Sequence, residues 1–84
     1  MAHIHLAPDG LGIRDAILWC IDRHGGGGTW TPVIANMLNM QAYFSRPFKV
    51  NTADVRRELR RMERDGVVIS APTCSRLYLA WRRA

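Results

Sequence analysis

The chain is 84 residues long and 48% hydrophobic, with twelve Lys and Arg against seven Asp and Glu, a formal charge of +5. That length holds one domain, just above the size at which a single core becomes marginal without staples, and the hydrophobic share excludes intrinsic disorder. Lys49 is the only lysine among the basic residues; arginine favours bidentate contact with phosphate or carboxylate, so the balance points to nucleic acid, an anionic membrane or an acidic protein.

No stretch approaches the ~20 apolar residues that span a bilayer. No basic region followed by an apolar run opens the chain, as a signal peptide would require. Cys20 and Cys74 have neither a metal-site spacing nor a CxxC arrangement, and the expected compartment is a reducing cytoplasm.

Residues 1–8 read as an N-terminal arm and residues 9–84 as one domain. The arm's HIHL alternates, which suits either a strand or a loose segment. His3, His5 and His24 have no cysteine or carboxylate at ligand spacing, so no metal is expected. A first helix is predicted from Asp9, its cap after Pro8, to His24. Ile13, Ile17, Cys20 and Ile21 make its apolar face, with Leu18 beside it. Asp15, Asp22 and Arg23 face water, and Trp19 sits at the core edge.

Gly25 to Gly28 is a run of four glycines, a C-cap followed by a slack connection. No lysine follows at P-loop spacing, so a phosphate cradle is not expected. Thr29 to Thr31 is β-favouring and predicts a short strand. Thr31-Pro32 then opens a second helix, threonine as cap and proline at the first helical position. Val33, Ile34, Met37 and Leu38 form its apolar side, Asn36 and Asn39 point away, and it ends near Met40 or Gln41. The connection from Ala42 to Val50 carries Tyr43, Phe44, Pro47 and Phe48. At least two of these aromatics are expected in the core, leaving Arg46 and Lys49 exposed; a loop this apolar also suits a partner-binding surface.

The third helix has the clearest ends. Asn51 caps it, with Asp54 three residues on as an acidic partner, and Gly66 stands where a left-handed residue closes it. Val55, Leu59 and Met62 recur at i, i+4 and i+7 as its apolar face. A 100° rotation per residue puts Ala53, Arg57, Arg60, Arg61 and Arg64 opposite, Arg56 on one flank, and Glu58 and Glu63 beside the core. Arg56, Arg60 and Arg64 form an i, i+4, i+8 row, and like charges at that spacing repel by a few tenths of a kcal/mol, roughly, per pair. A solvated helix face is one explanation; an anionic partner is the other. After Gly66, VVIS and RLYLAWR alternate as strands. Val67 and Ile69 share one face, Leu77, Leu79 and Trp81 another. Ala71 to Ser75 forms the turn, and Arg82, Arg83 and Ala84 form a basic tail.

The expected fold is therefore α+β and mainly α: three helices and a small C-terminal antiparallel hairpin, with a third short strand near Thr29 to Thr31. Helix, short strand, helix, helix, strand, strand is the element order of winged helix-turn-helix domains, which the chain resembles over nearly its whole length. VRRELRRMERDGVV, Val55 to Val68, is similar to the recognition-helix segment of GntR-type regulators. There a Thr-Val-Arg run opens the helix and a Leu-x-x-Leu-x-x-x-Gly-hydrophobic pattern closes it. Leu59, Met62, Gly66 and Val67 fill the closing positions, and Arg56 follows Val55 as the family arginine does. The opening threonine is displaced to Thr52, the loop before the helix is longer, and the hairpin tip APTCS lacks the family's glycines.

The resemblance implies double-stranded DNA binding with the third helix in the major groove. Asn51, Thr52, Arg56 and Arg57 would read base edges. Arg60, Arg61 and Arg64 would meet phosphates, with Arg46, Lys49, Ser75 and Arg76 at the periphery. The positive end of the helix dipole would assist a phosphate at Asn51 and Thr52. A small transcriptional regulator or mobile-element accessory factor is expected, acting as a homodimer on a two-fold site. The competing expectation is a winged-helix inhibitor or adaptor that docks on an acidic protein. No nucleophile is paired with a base, so neither an enzyme nor a cofactor is expected. The third helix's narrow apolar stripe also argues against membrane-surface binding.

Overall fold

The computed structural model describes residues 6–24, 28–72 and 79–84. Its elements run α1 (Ile13–Arg23), β1 (Thr29–Trp30), α2 (Thr31–Leu38), α3 (Thr52–Arg64), β2 (Val68–Pro72) and β3 (Leu79–Arg83). The fold is α+β: three helices and a three-stranded antiparallel sheet in the order β1-β3-β2.

The cap of α1 falls three residues later than the Pro8-Asp9 pair suggests. Gly12 is its N-cap, in extended conformation and without a side-chain cap bond. Asp9 instead accepts a hydrogen bond from the Ser45 hydroxyl at 2.5 Å. Ala7, ahead of the expected domain boundary, is buried, and its N–H donates to the Tyr43 carbonyl at 2.8 Å. The buried stripe of α1 is Ala16, Ile17, Cys20 and Ile21. Burial pushes the Cys20 thiol up to about 12, so it remains a protonated core group at neutral pH.

Thr31 does not cap α2. Trp30 holds that position without a side-chain bond, and Pro32 sits in the first turn. The Thr31 hydroxyl accepts from the Trp81 indole N–H at 2.9 Å and donates to the Leu79 carbonyl at 3.4 Å. A β-branched hydroxyl facing β3 is worth more as a partner for a buried indole than as a cap on an end that proline already leaves one donor short. α2 stops at Leu38, where Asn39 is its C-cap.

The central strand β3 places Trp81 opposite Thr29 of β1 and Ser70 of β2. Trp81 is fully buried, in one core cluster with Ile17, Ile34, Leu38, Val55, Leu59, Met62 and Val68. Alternation fixes the faces. Val68 and Trp81 point into the helices, while Trp30, Ile69 and Arg82 lie on the outward, exposed face. Thus the core residue of the VVIS stretch is Val68, and Ile69 turns outward. The ladder also moves the hairpin boundaries. Ala71 pairs with Ala80 and Pro72 with Leu79, so both extend β2 instead of forming the turn. Proline is tolerated because β2 is an edge strand. Arg82 and Arg83 continue β3 and are not a tail. Arg83 forms a two-point ion pair with Asp22 of α1, at 2.6 and 2.8 Å. The turn itself, with Leu77, falls outside the described residues.

Of the glycine run, only Gly28 is described. It has φ +97°, and a Cβ there would meet the Ala80 Cβ at 3.1 Å. The positive φ favours glycine, and a Cβ there would crowd the Ala80 methyl. Gly28→Ala is expected to destabilise the domain by about 1–3 kcal/mol, read as a lower urea midpoint with an unchanged m-value.

Candidate functional site

α3 forms as its sequence dictates. The Asn51 side-chain oxygen accepts from the Asp54 N–H at 2.8 Å, and the Asp54 carboxylate accepts from the Asn51 N–H at 3.4 Å, a complete capping box. Val55, Leu59 and Met62 are buried. Gly66 closes the helix at φ +77°, and the Val67 N–H returns to the Met62 carbonyl at 2.9 Å. Burying that stripe leaves Arg56, Arg57, Arg60, Arg61 and Arg64 all exposed.

The acidic residues do not neutralise this face evenly. Arg14 of α1 reaches across to Glu58 at 2.7 Å and Asp65 at 2.6 Å. Those hydrogen bonds, Glu58 first and Asp65 second, raise the guanidinium above its ordinary pKa. Glu58 is shared with Arg61 at 3.4 Å. Glu63 accepts the Ser70 hydroxyl of β2 at 2.6 Å. Asp54 is held in the cap and approaches Arg57 at 3.8 Å. Every carboxylate of α3 is therefore engaged on the core flank, at the cap, or with Arg57 and Arg61. Among the described residues, Arg56, Arg60 and Arg64 have no ion-pair partner. Their row runs along the exposed side of α3 nearer Glu63 and β2, over roughly 12 Å at 1.5 Å rise per residue.

The other expected site residues divide. Thr52 lies half-buried in the first turn of α3. Asn51 has its oxygen committed to the cap, which leaves its amide N–H groups as donors. Asp54 already occupies the positive end of the helix dipole, so a phosphate approaching Asn51 and Thr52 meets a carboxylate there. Lys49 is exposed just before the cap, with its backbone left-handed at φ +55°. Arg46 lies elsewhere, lining a cleft of about 520 Å³ together with Asp9, Ser45 and Phe48. Ser75 and Arg76 fall outside the described residues.

The aromatic loop is folded inward. Phe44 is buried; Tyr43 and Phe48 are half-buried. Trp19 packs on Tyr43 and Phe44 with ring centroids 5.9 and 5.4 Å apart, and Phe44 on Phe48 at 5.4 Å. The Arg23 guanidinium lies 5.6 Å from the Trp19 centroid and 6.0 Å from that of Tyr43. These rings extend the core under the α2–α3 connection, and Phe44 and Phe48 also line the cleft beside Arg46.

Three contributors carried no usable sequence signal. Arg14 lies 44 and 51 positions from the acids it holds. Asn39 looks like an ordinary exposed helix end but bonds both backbone groups of Val50. Arg82 reads as a tail but stands on the outward sheet face. Among the described residues, no group of three His, Cys, Asp or Glu is placed to hold a metal ion, and no helix is long and apolar enough to cross a membrane. Comparison of the chain with protein-family models, curated proteins and solved structures finds no match.

Proposed function

We propose that the chain is a winged-helix protein that binds double-stranded DNA through the arginine face of α3. The observation that carries this reading is the Arg56, Arg60 and Arg64 row: three exposed guanidiniums that, among the described residues, form no ion pair. A row of like charges with no internal partner is stabilised when an external polyanion supplies the counter-charge. The sheet order β1-β3-β2, with α3 leading directly into the hairpin, supports the winged-helix reading. In this docking the N-terminal half of α3 reaches base edges, with Arg56 able to bridge guanine O6 and N7. Arg60 and Arg64 meet phosphates.

The protein acts as a small regulator or accessory factor, as a homodimer on a two-fold site, since one domain of this size offers a limited interface. The test is titration against duplex DNA at several salt concentrations, followed by selection of bound duplexes from a random pool. The expected result is a steep linear fall of log K with log salt and enrichment of a palindrome. Binding without salt dependence, or no binding at low salt, overturns the reading. Recovery of one stoichiometric acidic protein with no enriched DNA favours the adaptor alternative, which rests on the same arginine face.

A further inference from the structure

Lys49 is the only residue other than glycine with positive φ among the described residues, at +55°. An L-residue there is strained relative to ordinary backbone, and glycine or asparagine would occupy the same turn more easily. The conformation is imposed from both sides. Before it, the Phe48 N–H donates to the Leu38 carbonyl at 3.0 Å. After it, Asn39 grips Val50 twice: its oxygen accepts from the Val50 N–H at 2.9 Å, and its amide donates to the Val50 carbonyl at 2.6 Å. Both anchors come from the C-terminal end of α2. The residue they hold between them is exposed and, among the described residues, has no ion-pair partner.

We infer that Lys49 is a dedicated phosphate contact beside the first turn of α3, and that Asn39 is its positioning residue. This rests on the DNA-binding reading and deepens it by dividing the labour at the interface. The Asn39 clamp ties the end of α2 to the start of α3, so the strain is held by rigid elements on either side. The flexible lysine stem needs only to bring a point charge to a phosphate, so the fixed backbone does not restrict the contact. The Asp54 carboxylate already fills the helix mouth, so the anion is met by the ammonium and not by the helix dipole.

The experiment is a double-mutant cycle read by duplex-DNA binding across a salt series, with thermal unfolding alongside. Lys49→Gly relieves the backbone, so its Tm is expected to hold or to rise by up to about 5 °C. Its affinity is expected to fall about 5-fold at 0.15 M salt, and the salt slope to shrink by about 0.9, the value of one phosphate contact. Lys49→Ala gives the same binding loss without the gain in Tm. Asn39→Ala is expected to weaken binding in the native background and to add no further loss on Lys49→Gly. Equal losses from Asn39→Ala in both backgrounds would make Asn39 merely structural and overturn its assigned role. An unchanged slope in both Lys49→Gly and Lys49→Ala overturns the phosphate contact; if Arg60→Ala still weakens binding, the DNA reading survives that failure. If neither Arg60→Ala nor either Lys49 variant changes binding, the DNA-docking reading falls as well.

Discussion

Trp81→Ala is expected to leave the domain largely unfolded at 25 °C. Trp81 is completely buried on the central strand, with the helices packed over it. Truncating a buried tryptophan to alanine removes about 3–5 kcal/mol through lost transfer energy and the cavity left behind. The indole N–H is also the donor to the Thr31 hydroxyl, which is itself buried. Losing that donor adds about 1–3 kcal/mol if the oxygen is left without a partner. A domain of this length has a total stability of roughly 4–13 kcal/mol, so the combined loss consumes most of it. Trp81→Phe keeps much of the ring and isolates the hydrogen bond; its expected loss is about 1–3 kcal/mol. Urea denaturation followed by far-UV circular dichroism measures both. A cooperative Trp81→Ala transition displaced by less than about 1.5 kcal/mol would place the true centre of the core elsewhere.

The same residue shows where sequence reading stops. α3 was legible almost completely because its determinants are local: a cap and its partner three residues apart, an apolar stripe on one helix, and a glycine at the end. Thr31 and Asp9 carry the same kind of cap signal, yet neither caps a helix. Their hydroxyl and carboxylate are claimed by Trp81 and Ser45, 50 and 36 positions away. Local propensity cannot weigh such partners. The hairpin was legible as alternation, but its register was not. Only pairing with β3 decides that Val68 faces inward, that Pro72 remains in the ladder, and that Arg83 reaches Asp22.

The candidate site divides along the same line. That α3 carries an arginine face follows from counting around a helical wheel. That part of this face stays uncompensated does not, because it depends on Arg14 drawing Glu58 and Asp65 toward α1 and on Ser70 engaging Glu63. The aromatic loop is the converse case. Its composition suits either core or a docking surface; stacking on Trp19 ties its rings to the core, while Phe44 and Phe48 also line the cleft beside Arg46.

Replacing Arg56, Arg60 and Arg64 together with alanine is expected to reduce duplex-DNA affinity on the order of 100-fold at 0.15 M salt, with a salt slope smaller by about 1.8 from the two phosphate contacts of Arg60 and Arg64 and the rest of the loss from the Arg56 base contact. The slope follows from counterion release. Each phosphate contact contributes about 0.9 to the slope, which at that salt is about 0.7 of a decade in affinity. The fold should hold, since all three side chains are exposed, unpaired among the described residues and outside the apolar stripe. Relief of the i, i+4 repulsion offsets the small differences in helix propensity. The matched control is Arg57→Ala with Arg61→Ala, which removes guanidiniums already beside Asp54 and Glu58. Its loss per arginine is expected to be smaller, because an acid left nearby has already lowered the local potential. Within the row the effects should also differ in kind. Arg56→Ala flattens preference among sequences, whereas Arg64→Ala weakens all duplexes alike. Equal losses per arginine from the row and from the control would mean that the unpaired state of the row has no bearing on binding. The arginine face would then act as a diffuse cationic surface, and base reading would have to come from residues elsewhere on the domain.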